Sequence, residues 1–512
     1  MELSKDLIKE KKPHSKCSVL LLYPPIVLKK EDVPTFGFFP PLGLGYVASV
    51  LLQEGYHVEI IDCLVQGKDI IENLDNGMVR IGLSKKEIEQ LLLEKKPRIV
   101  GIAGSFSSFS SDGLRLAKIV REALPDCFLV IGGPGTAEPK EIEKTLSQRI
   151  VDVVIKGEAE YIFKDIVHCI SQEKIEEAKK ISGTFWLSNN KLTKNPAREV
   201  TKNLDIIPFP AYHLLPMEKY IWQKHANFAA AMRWPIAHMV TSRGCIYNCI
   251  FCSTTRYFQK FRARSVENVI QEMKLLIHDY GIREFHFHDD YFMSDAKRVR
   301  KLCEKIIEEN IDICWQVSQG INTVQLDEAL LELMHKSGMY RVGFPIESGS
   351  PETLKYMRKP LDLKKVQKLI QKCNTLGIYV FGCFVMGFPK ETKEQLEQTT
   401  NFIINSSLDY AKISILQPHP GTDIYGVFEQ LGLLEEGLKH GSTYFHTEYD
   451  IAHFKAADLN TIRKETLDTF ARQRIIRMLS LKGIQRYVLP KLYSMESARY
   501  FVRMGWNALK GY

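Results

Sequence analysis

The chain has 512 residues, of which 45% are hydrophobic and 25% charged, values that are ordinary for globular proteins and exclude a disordered or collagen-like chain. No apolar run reaches about 18 residues, so the sequence predicts no membrane-spanning helix. Residues 1–16 carry mixed charges and lack the apolar core of a signal peptide, which predicts a flexible tail. Eleven cysteines are too few for a disulfide framework, so we expect reduced thiols and a cytoplasmic protein.

The charge of the chain is concentrated near its end. Lys and Arg number 69 and Asp and Glu 61, a surplus of eight. Residues 472–512 contain nine basic side chains and one acidic side chain, so this segment accounts for the whole surplus. The segment also contains Tyr, Phe, Trp and Leu. This mixture fits a helical cap, a peripheral membrane contact or a hydrophobic substrate, and fits nucleic acid less well.

Residues 17–170 alternate apolar runs with amphipathic runs. The apolar runs predict five strands, at 17–25, 57–63, 98–106, 127–133 and 151–156. Continuous apolar strands that alternate with helices are typical of a parallel sheet covered on both faces. The α/β pattern therefore predicts a flavodoxin-like, doubly wound domain at 17–170.

The alternation stops at 171 and resumes near 233. Residues 171–232 are rich in proline around PFPAYHLLP, which predicts a linker. Six further strand–helix units in 233–430 predict a partial (β/α)6 barrel, and 431–512 reads as a basic, helical C-terminal domain.

Three cysteines lie within eight residues, in the sequence TSRGCIYNCIFCST. Cys245, Cys249 and Cys252 have C-x3-C-x2-C spacing and follow a predicted strand. Barrel enzymes place their chemistry at that end of the strand. Three thiolates can hold three irons of a 4Fe–4S cluster and leave the fourth iron open. A structural zinc site is the alternative, but it needs a fourth protein ligand.

The cysteine loop, together with the barrel pattern, resembles the radical S-adenosylmethionine (SAM) superfamily. The resemblance implies that the open iron binds SAM and that one electron cleaves it to a 5′-deoxyadenosyl radical. It also implies a small electron-donor protein such as flavodoxin or ferredoxin. FVMGFPKET, residues 384–392, resembles the adenine-side segment. The residues that the resemblance assigns to SAM are Phe251, Asp289, Asp290, Gln316, Ser318, Glu347 and Ser348.

Small residues end the strands of the first domain, where doubly wound sheets bind their ligands. A domain of this kind before a radical SAM barrel resembles the cobalamin-binding domain of cobalamin-dependent radical SAM enzymes. The Asp-x-His-x-x-Gly motif that supplies a histidine to cobalt is absent, so the resemblance implies cobalamin without that ligand. The implied cobalamin contacts are Ser105, Ser107, Ser108, Gly132 and Gly133.

The family resemblance implies a methylase. One SAM would methylate reduced cobalamin, and a second would give the radical that abstracts hydrogen from an unactivated carbon, which then takes the methyl group. The alternative is a cobalamin-using cyclase or oxidative enzyme that acts on a tetrapyrrole or lipid without methyl transfer. A non-catalytic cobalamin or metal sensor is a third hypothesis. We expect a small-molecule substrate, and the basic, aromatic C-terminal segment favours a hydrophobic one, a lipid or tetrapyrrole.

Overall fold

The computed structural model describes residues 18–104, 110–133, 139–188, 191–222, 231–317, 321, 323–434 and 445–509. The chain divides into two compact units, Met1–Asn227 and Phe228–Tyr512. The predicted tail, residues 1–16, lies outside the described residues.

The first unit contains a seven-stranded sheet. Its five parallel strands run in the order β5-β4-β3-β1-β2, which is the flavodoxin-like order and confirms the predicted doubly wound fold. These strands are almost wholly buried because they are apolar along their length. The strands are β1 (Ser18–Tyr23), β2 (His57–Asp62), β3 (Ile99–Ala103), β4 (Phe128–Gly132) and β5 (Val153–Ile155).

Helices follow the strands as the alternating pattern predicts. Lys85–Lys95 illustrates how their ends are set, since Ser84 and Glu87 form a reciprocal capping box at its first turn. The main helices of this unit are Leu42–Gln53, Lys85–Lys95, Ser110–Ala123, Pro139–Ser147 and Glu160–Ser171, and the short ones are Cys63–Gln66, Ile175–Ala178 and Glu218–Ile221.

Two strands lie in the first part of residues 171–232, the segment predicted to be a linker. Strands β6 (Thr184–Ser188) and β7 (Lys191–Lys194) add to the sheet as an antiparallel edge. The apolar run TFWLS forms the first of these strands because Trp186 pairs with Val153 of β5 and is buried there. A small antiparallel sheet that the pattern did not predict joins Ile26–Lys29, Met78–Ile81 and Ile71–Asn73.

The second unit contains six parallel strands hydrogen-bonded in sequence order, which confirms the predicted partial (β/α)6 barrel. They are β8 (Ile236–Met239), β9 (Glu284–Phe287), β10 (Cys314–Val317), β11 (Met339–Glu347), β12 (Tyr379–Met386) and β13 (Tyr410–Ile415).

A capping side chain precedes the first residue of each long barrel helix. In each of five helices, an Asp, Ser or Thr side chain accepts a backbone N–H of the first turn, a bond that stabilises a helix by about 1 kcal/mol. These helices are Val266–Tyr280, Ala296–Glu308, Glu328–Lys336, Leu363–Leu376 and Lys393–Asn405. Shorter helices lie at Thr254–Phe258, Pro351–Tyr356 and Asp423–Gln430.

The C-terminal segment is helical, as predicted, with helices at Ala456–Leu479, Leu481–Gly483 and Met495–Leu509. It belongs to the same compact unit as the barrel and not to a separate domain at 431–512. Tyr500 is fully buried against Tyr340 and Tyr379 at the amino ends of β11 and β12, and so closes the floor of the barrel.

Several basic residues of this segment are used in packing. Lys491 is 1% exposed and pairs with the carboxylate of Asp409, which Arg474 also contacts at 3.2 Å. Burial acts to raise the pKa of Asp409, but the two cations outweigh it and hold that pKa below its ordinary value. Arg477 donates to backbone carbonyls of residues 404–406. The predicted surplus of positive charge is therefore partly neutralised or covered.

Over the part of the chain that the structure describes, we find no helix with the length and apolar character needed to cross a bilayer.

Candidate active site

The three cysteines lie on a loop that begins at the carboxyl end of β8. Ser242–Arg243 pairs with Arg262–Ala263, which ties the two ends of the loop together. Gly244 has φ +83°, and a Cβ there would lie 2.7 Å from the carbonyl oxygen of Lys260. Only glycine fits this turn without strain, and the turn directs Cys245 into the loop.

The loop is held in place by backbone hydrogen bonds. The Ile250 N–H donates to the Met357 carbonyl at 3.2 Å, and the Ile424 N–H donates to the Ile250 carbonyl at 2.9 Å. Cys249 is 9% exposed, whereas Cys245 and Cys252 are half-buried. The cysteines are thus held on a fixed loop and two of them are open to solvent.

The donor set fits an iron–sulfur cluster. The cysteines lie close enough to one another to interact electrostatically, and burial raises the pKa of Cys249 to about 11 while Lys359 acts to lower it. Three thiolates on one loop, each for a separate iron, suit a cubane cluster better than one zinc ion.

Phe251 packs against Phe388, with ring centroids 5.9 Å apart. Phe388 belongs to the segment 384–392, so the structure brings together two of the segments assigned to SAM. Glu391 in the same segment is 1% exposed, and its Oε2 accepts the N–H groups of Gly387 and Phe388 at 2.9 and 3.3 Å. Its Oε1 has no hydrogen-bond partner among the described residues, and burial raises its pKa to about 7.

The two neighbouring aspartates have different surroundings. Asp289 is 1% exposed, and its two oxygens accept hydrogen bonds from the backbone and hydroxyl of Thr241 and from the hydroxyl of Ser242. Both oxygens of Asp289 are therefore engaged in holding the start of the cysteine loop, and its contact with SAM stays a prediction. Asp290 is exposed, and its carboxylate accepts the Gly244 N–H at 3.0 Å and the Thr254 hydroxyl at 3.3 Å.

The end of β11 lies beside the cysteines. Glu347 has φ +65° and pairs with Lys359 at 2.9 Å, with both side chains about nine-tenths buried. Lys359 interacts electrostatically with Cys245 and Cys249. Ser348 is fully buried and bonds Thr399 at 2.8 Å, so it organises the turn after the strand.

The interior of the barrel carries a polar row, of which only Gln316 was assigned from the sequence. His238, His286 and Gln316 are paired in register on β8, β9 and β10, and Gln316 contacts His286 at 2.7 Å. His238 Nδ1 lies 2.7 Å from His288 Nε2. The alternation in FHFHDD was the available signal, because residues two apart on a strand share a face. Gln316, assigned to SAM from sequence, is 0% exposed in this row. Ser318 lies outside the described residues.

The carboxyl edge of the first unit's sheet was assigned to cobalamin. Gly133 has φ +134°, and a Cβ there would lie 2.1 Å from the Gly104 carbonyl oxygen. The close approach of the two strand ends therefore requires glycine at 133. Glycine is also favoured at 132, where a Cβ would lie 3.1 Å from the Cβ of Ile155. Ser105, Ser107 and Ser108 fall outside the described residues.

Two observations at this edge fit a bulky ligand. A Cβ on Gly157, just after β5, would meet no atom within 4 Å, so space is open above that strand end. Asp112, two residues into the helix that follows the β3 loop, is 2% exposed, and its Oδ2 has no hydrogen-bond partner within the described ranges. Open space at one strand end, and an unsatisfied acceptor on the helix that follows another strand, suit a ligand rich in amide donors, as cobalamin is.

Comparisons with known proteins agree with both halves of this description. The model of the radical SAM superfamily matches residues 239–403, and the model of the B12 binding domain matches residues 35–167. An uncharacterized methyltransferase of Pyrococcus horikoshii is 33% identical over 483 residues, covering 93% of each chain. Cytidylyl-2-hydroxyethylphosphonate methyltransferase of Streptomyces wedmorensis is 32% identical over 436 residues, covering 79% of this chain and 80% of the relative.

Among solved structures, the radical SAM methyltransferase TsrM of Kitasatospora setae, with cobalamin and a 4Fe–4S cluster bound, matches with a TM-score of 0.65 and 16% identity. The match covers 93% of this chain and 92% of that chain, and shows a shared fold. The two family models bring with them a 4Fe–4S cluster, SAM and cobalamin as cofactors. The chain therefore belongs to the radical SAM superfamily, within the cobalamin-dependent methyltransferases whose B12-binding domain precedes the barrel.

Proposed function

We propose that the chain methylates an unactivated carbon of a small molecule, with Cys245, Cys249 and Cys252 as the cluster ligands. The observation that carries the proposal is the rigid three-cysteine loop at the carboxyl end of β8, in a chain that also contains a B12-binding sheet. When bound, the cluster and cobalamin supply the one-electron cleavage of SAM, the hydrogen-abstracting radical and the methyl group.

The residues of the chain position and shield this chemistry. Asp290 and the half-buried Phe251 are proposed to contact SAM, while Asp289 and Gly244 fix the loop. Glu347, held by Lys359, presents a carboxylate beside the cluster, suited to a hydroxyl or ammonium group of SAM. Gln316 and Ser348 are also proposed to support SAM binding. Gln316 would do so by ordering the inner wall of the barrel, and Ser348 by ordering the turn after β11.

The test uses full-length protein reconstituted anaerobically with iron, sulfide and hydroxocobalamin. We expect about four irons and about one cobalt per chain. With a reductant and SAM labelled in its methyl group, we expect 5′-deoxyadenosine and S-adenosylhomocysteine. Cys249→Ala should lose iron and 5′-deoxyadenosine, whereas Cys169→Ala, a thiol in the first unit, should lose neither. Iron and cobalt without S-adenosylhomocysteine would favour the cobalamin-using cyclase or oxidative alternative. Iron without cobalt would overturn the proposal, because it would leave a radical SAM enzyme without methylcobalamin chemistry.

We further propose that an acidic one-electron carrier, such as flavodoxin or ferredoxin, docks on the outer side of the cysteine loop. A groove there is lined by Ile246, which is 53% exposed, together with Lys355, Arg358 and Lys364. Exposed basic side chains around an apolar centre suit steered docking of an acidic partner. The groove borders Cys249, whose Sγ lies 4.0 Å from the Arg358 carbonyl oxygen.

Charge reversal tests this docking face. The double variant Lys355→Glu/Lys364→Glu should slow SAM cleavage driven by flavodoxin and leave cleavage driven by titanium(III) citrate unchanged. Lys301→Glu, exposed on a distant helix, is the matched control. Equal flavodoxin-driven rates in all three proteins at low salt would refute the proposed face.

A peripheral membrane contact of the C-terminal segment is also proposed. Leu479, Leu481 and Met495 are 74, 84 and 71% exposed, and exposed Lys482 and Arg486 lie among them. Apolar side chains with basic neighbours suit an anionic bilayer surface. Because Tyr500 and Lys491 pack on the barrel, point changes are a better test than deletion of the segment.

The assay is co-sedimentation with phosphatidylcholine vesicles that do or do not contain phosphatidylglycerol. Full-length protein should sediment only with the anionic vesicles, and Leu479→Ser/Leu481→Ser should weaken this. Val324→Ser, at a side chain 45% exposed on the barrel, is the control. Binding that is the same in all three proteins would remove the proposal.

A further inference from the structure

The inner surface of the barrel carries Arg341, which has no carboxylate within ion-pair distance among the described residues. Arg341 lies on β11 and is half-buried. Within the described part of the chain it forms no ion pair and no hydrogen bond, and its guanidinium lies 5.0 Å from the ring centroid of Phe381. Removing a cation from water without a compensating charge is unfavourable. A ligand with negative charge would therefore be stabilised at this position.

The strand register places Arg341 on the inner face. Arg341 is paired with Gln316, whose side chain contacts His286 in the polar row of the interior. Trp315, one residue earlier, points to the opposite face and donates from Nε1 to the Ser337 carbonyl at the end of a barrel helix. Side chains of successive strand residues alternate, so Gln316 and its partner Arg341 face inward.

Further donors surround Arg341. Tyr410 and Lys412 lie two residues apart on β13 and are paired with Phe381 and Cys383 on the inner face of β12. Tyr410 is 52% exposed and Lys412 is half-buried. Together with Arg341 they provide two cations and a hydroxyl on one wall of the interior.

A buried hydroxyl lies below this wall. Tyr500, on the floor of the barrel, is fully buried, and its Oη has no hydrogen-bond partner in the described ranges. Arg341 is near enough to oppose the rise that burial causes in the pKa of Tyr500 and of Tyr410. Buried hydroxyls are normally satisfied. The unsatisfied hydroxyl marks a place where a polar ligand atom, or a water that accompanies it, would be held.

We propose that the barrel interior beside Arg341 binds an oxyanion of the substrate, a phosphate, phosphonate or carboxylate group. The planar guanidinium matches two oxygens of such a group, and Tyr410 and Lys412 add a donor and a charge. The proposal rests on the proposed function in that the anion is part of the methyl acceptor. It also revises the expected hydrophobic substrate, since the portion held here is charged.

The position of Arg341 adds a statement about substrate length. Arg341 precedes Glu347 by six residues on β11, and a parallel strand rises about 3.3 Å per residue, so the two backbones are about 20 Å apart. The anion is therefore remote from the carboxyl end of the barrel, where the cysteines lie. The substrate is elongated, with its charged group well separated from the carbon that reacts.

Direct binding of small anions tests the site without any turnover. Full-length protein is titrated calorimetrically with methylphosphonate, with acetate, and with uncharged dimethyl sulfone, at constant ionic strength. Saturable binding of methylphosphonate or acetate, and none of the sulfone, is expected. Hydrogen bonds to a charged group predict that Arg341→Gln weakens anion binding about 10- to 100-fold. The anion affinity of Arg341→Lys should lie between those of the parent and Arg341→Gln. Arg300 is half-buried on an outer helix, and Arg300→Gln should bind anions as the parent does.

The outcomes are separable. Equal anion binding by the parent and by a folded Arg341→Gln, or no saturable binding by the parent, would overturn the proposal. If Arg341→Gln does not fold, Tyr410→Phe and Lys412→Met must each weaken binding, and unchanged affinity in both would overturn it. Stronger binding of methylphosphonate than acetate would identify a phosphoryl group. SAM cleavage does not enter the measurement, so failure of the proposed function would be seen elsewhere.

Discussion

Glu391 allows a prediction in which the sign and size both follow from its surroundings. Its carboxyl is buried, with one oxygen bonded to two backbone N–H groups and the other without a partner among the described residues. Burial raises its pKa from 4.5 to about 7. Between pH 4.5 and about 7, Glu391 is therefore mostly protonated in the folded protein and mostly ionised in the unfolded chain.

The sign follows from this difference. Because the folded pKa is raised, the stability that the neutral carboxyl contributes is fully present below about pH 4.5 and is lost as pH rises through about 7. A carboxyl whose pKa rises from 4.5 to about 7 changes the unfolding free energy by about 3 kcal/mol, at 1.36 kcal/mol per pH unit. Glu391→Gln keeps an acceptor for the backbone N–H groups and removes the titration.

The assay is the thermal midpoint of the barrel unit between pH 5 and 8.5. The parent should lose several degrees relative to Glu391→Gln across this range, at about 2 °C per kcal/mol for a unit of this size. Glu397→Gln, exposed on the following helix, should follow the parent. Parallel curves for the parent and Glu391→Gln would refute the argument, as would a parent that gains stability relative to the variant.

Three further predictions concern the loop and the C-terminal packing. Gly244→Ala should lower the iron bound per chain after reconstitution, because its Cβ would lie 2.7 Å from the Lys260 carbonyl oxygen; unchanged iron content would contradict this. Lys359→Met should lower the unfolding free energy by about 3–5 kcal/mol by leaving Glu347 buried and unpaired, and adding Glu347→Gln should recover part of it in denaturant titrations. Lys491→Met should expose the C-terminal helices to limited proteolysis more rapidly than in the parent, and equal cleavage rates would count against the buried ion pair.

The parts of the fold that the sequence predicted are those governed by local pattern. Continuous apolar runs such as 98–106 identified the parallel strands, because a strand buried on both faces has no polar alternation. The C-x3-C-x2-C spacing indicated the candidate cluster loop, since all three proposed ligands lie on one short segment. The edge strand Thr184–Ser188 was missed because the prolines of residues 171–232 dominated that stretch.

The site residues that sequence reasoning missed depend on side-chain direction and on contacts between distant segments. Lys359 meets Glu347 across a turn and a short helix, and no motif marks it. Asp289 and Asp290 are adjacent in sequence, yet only the structure shows that the first is enclosed by Thr241 and Ser242. Arg341 was not assigned from the sequence, because only the assembled barrel shows that no carboxylate of the described residues pairs with it.

The floor of the barrel has a consequence for how the protein is made. Tyr340 and Tyr379 are covered by Tyr500, a residue synthesised more than a hundred positions later. The first unit has its own core and can fold while the barrel is still being translated. The barrel strands, in contrast, must wait with an aromatic surface uncovered until the last helix arrives. A chain that ends before Tyr500 would leave the rings of Tyr340 and Tyr379 exposed to water, and such an aromatic surface favours aggregation.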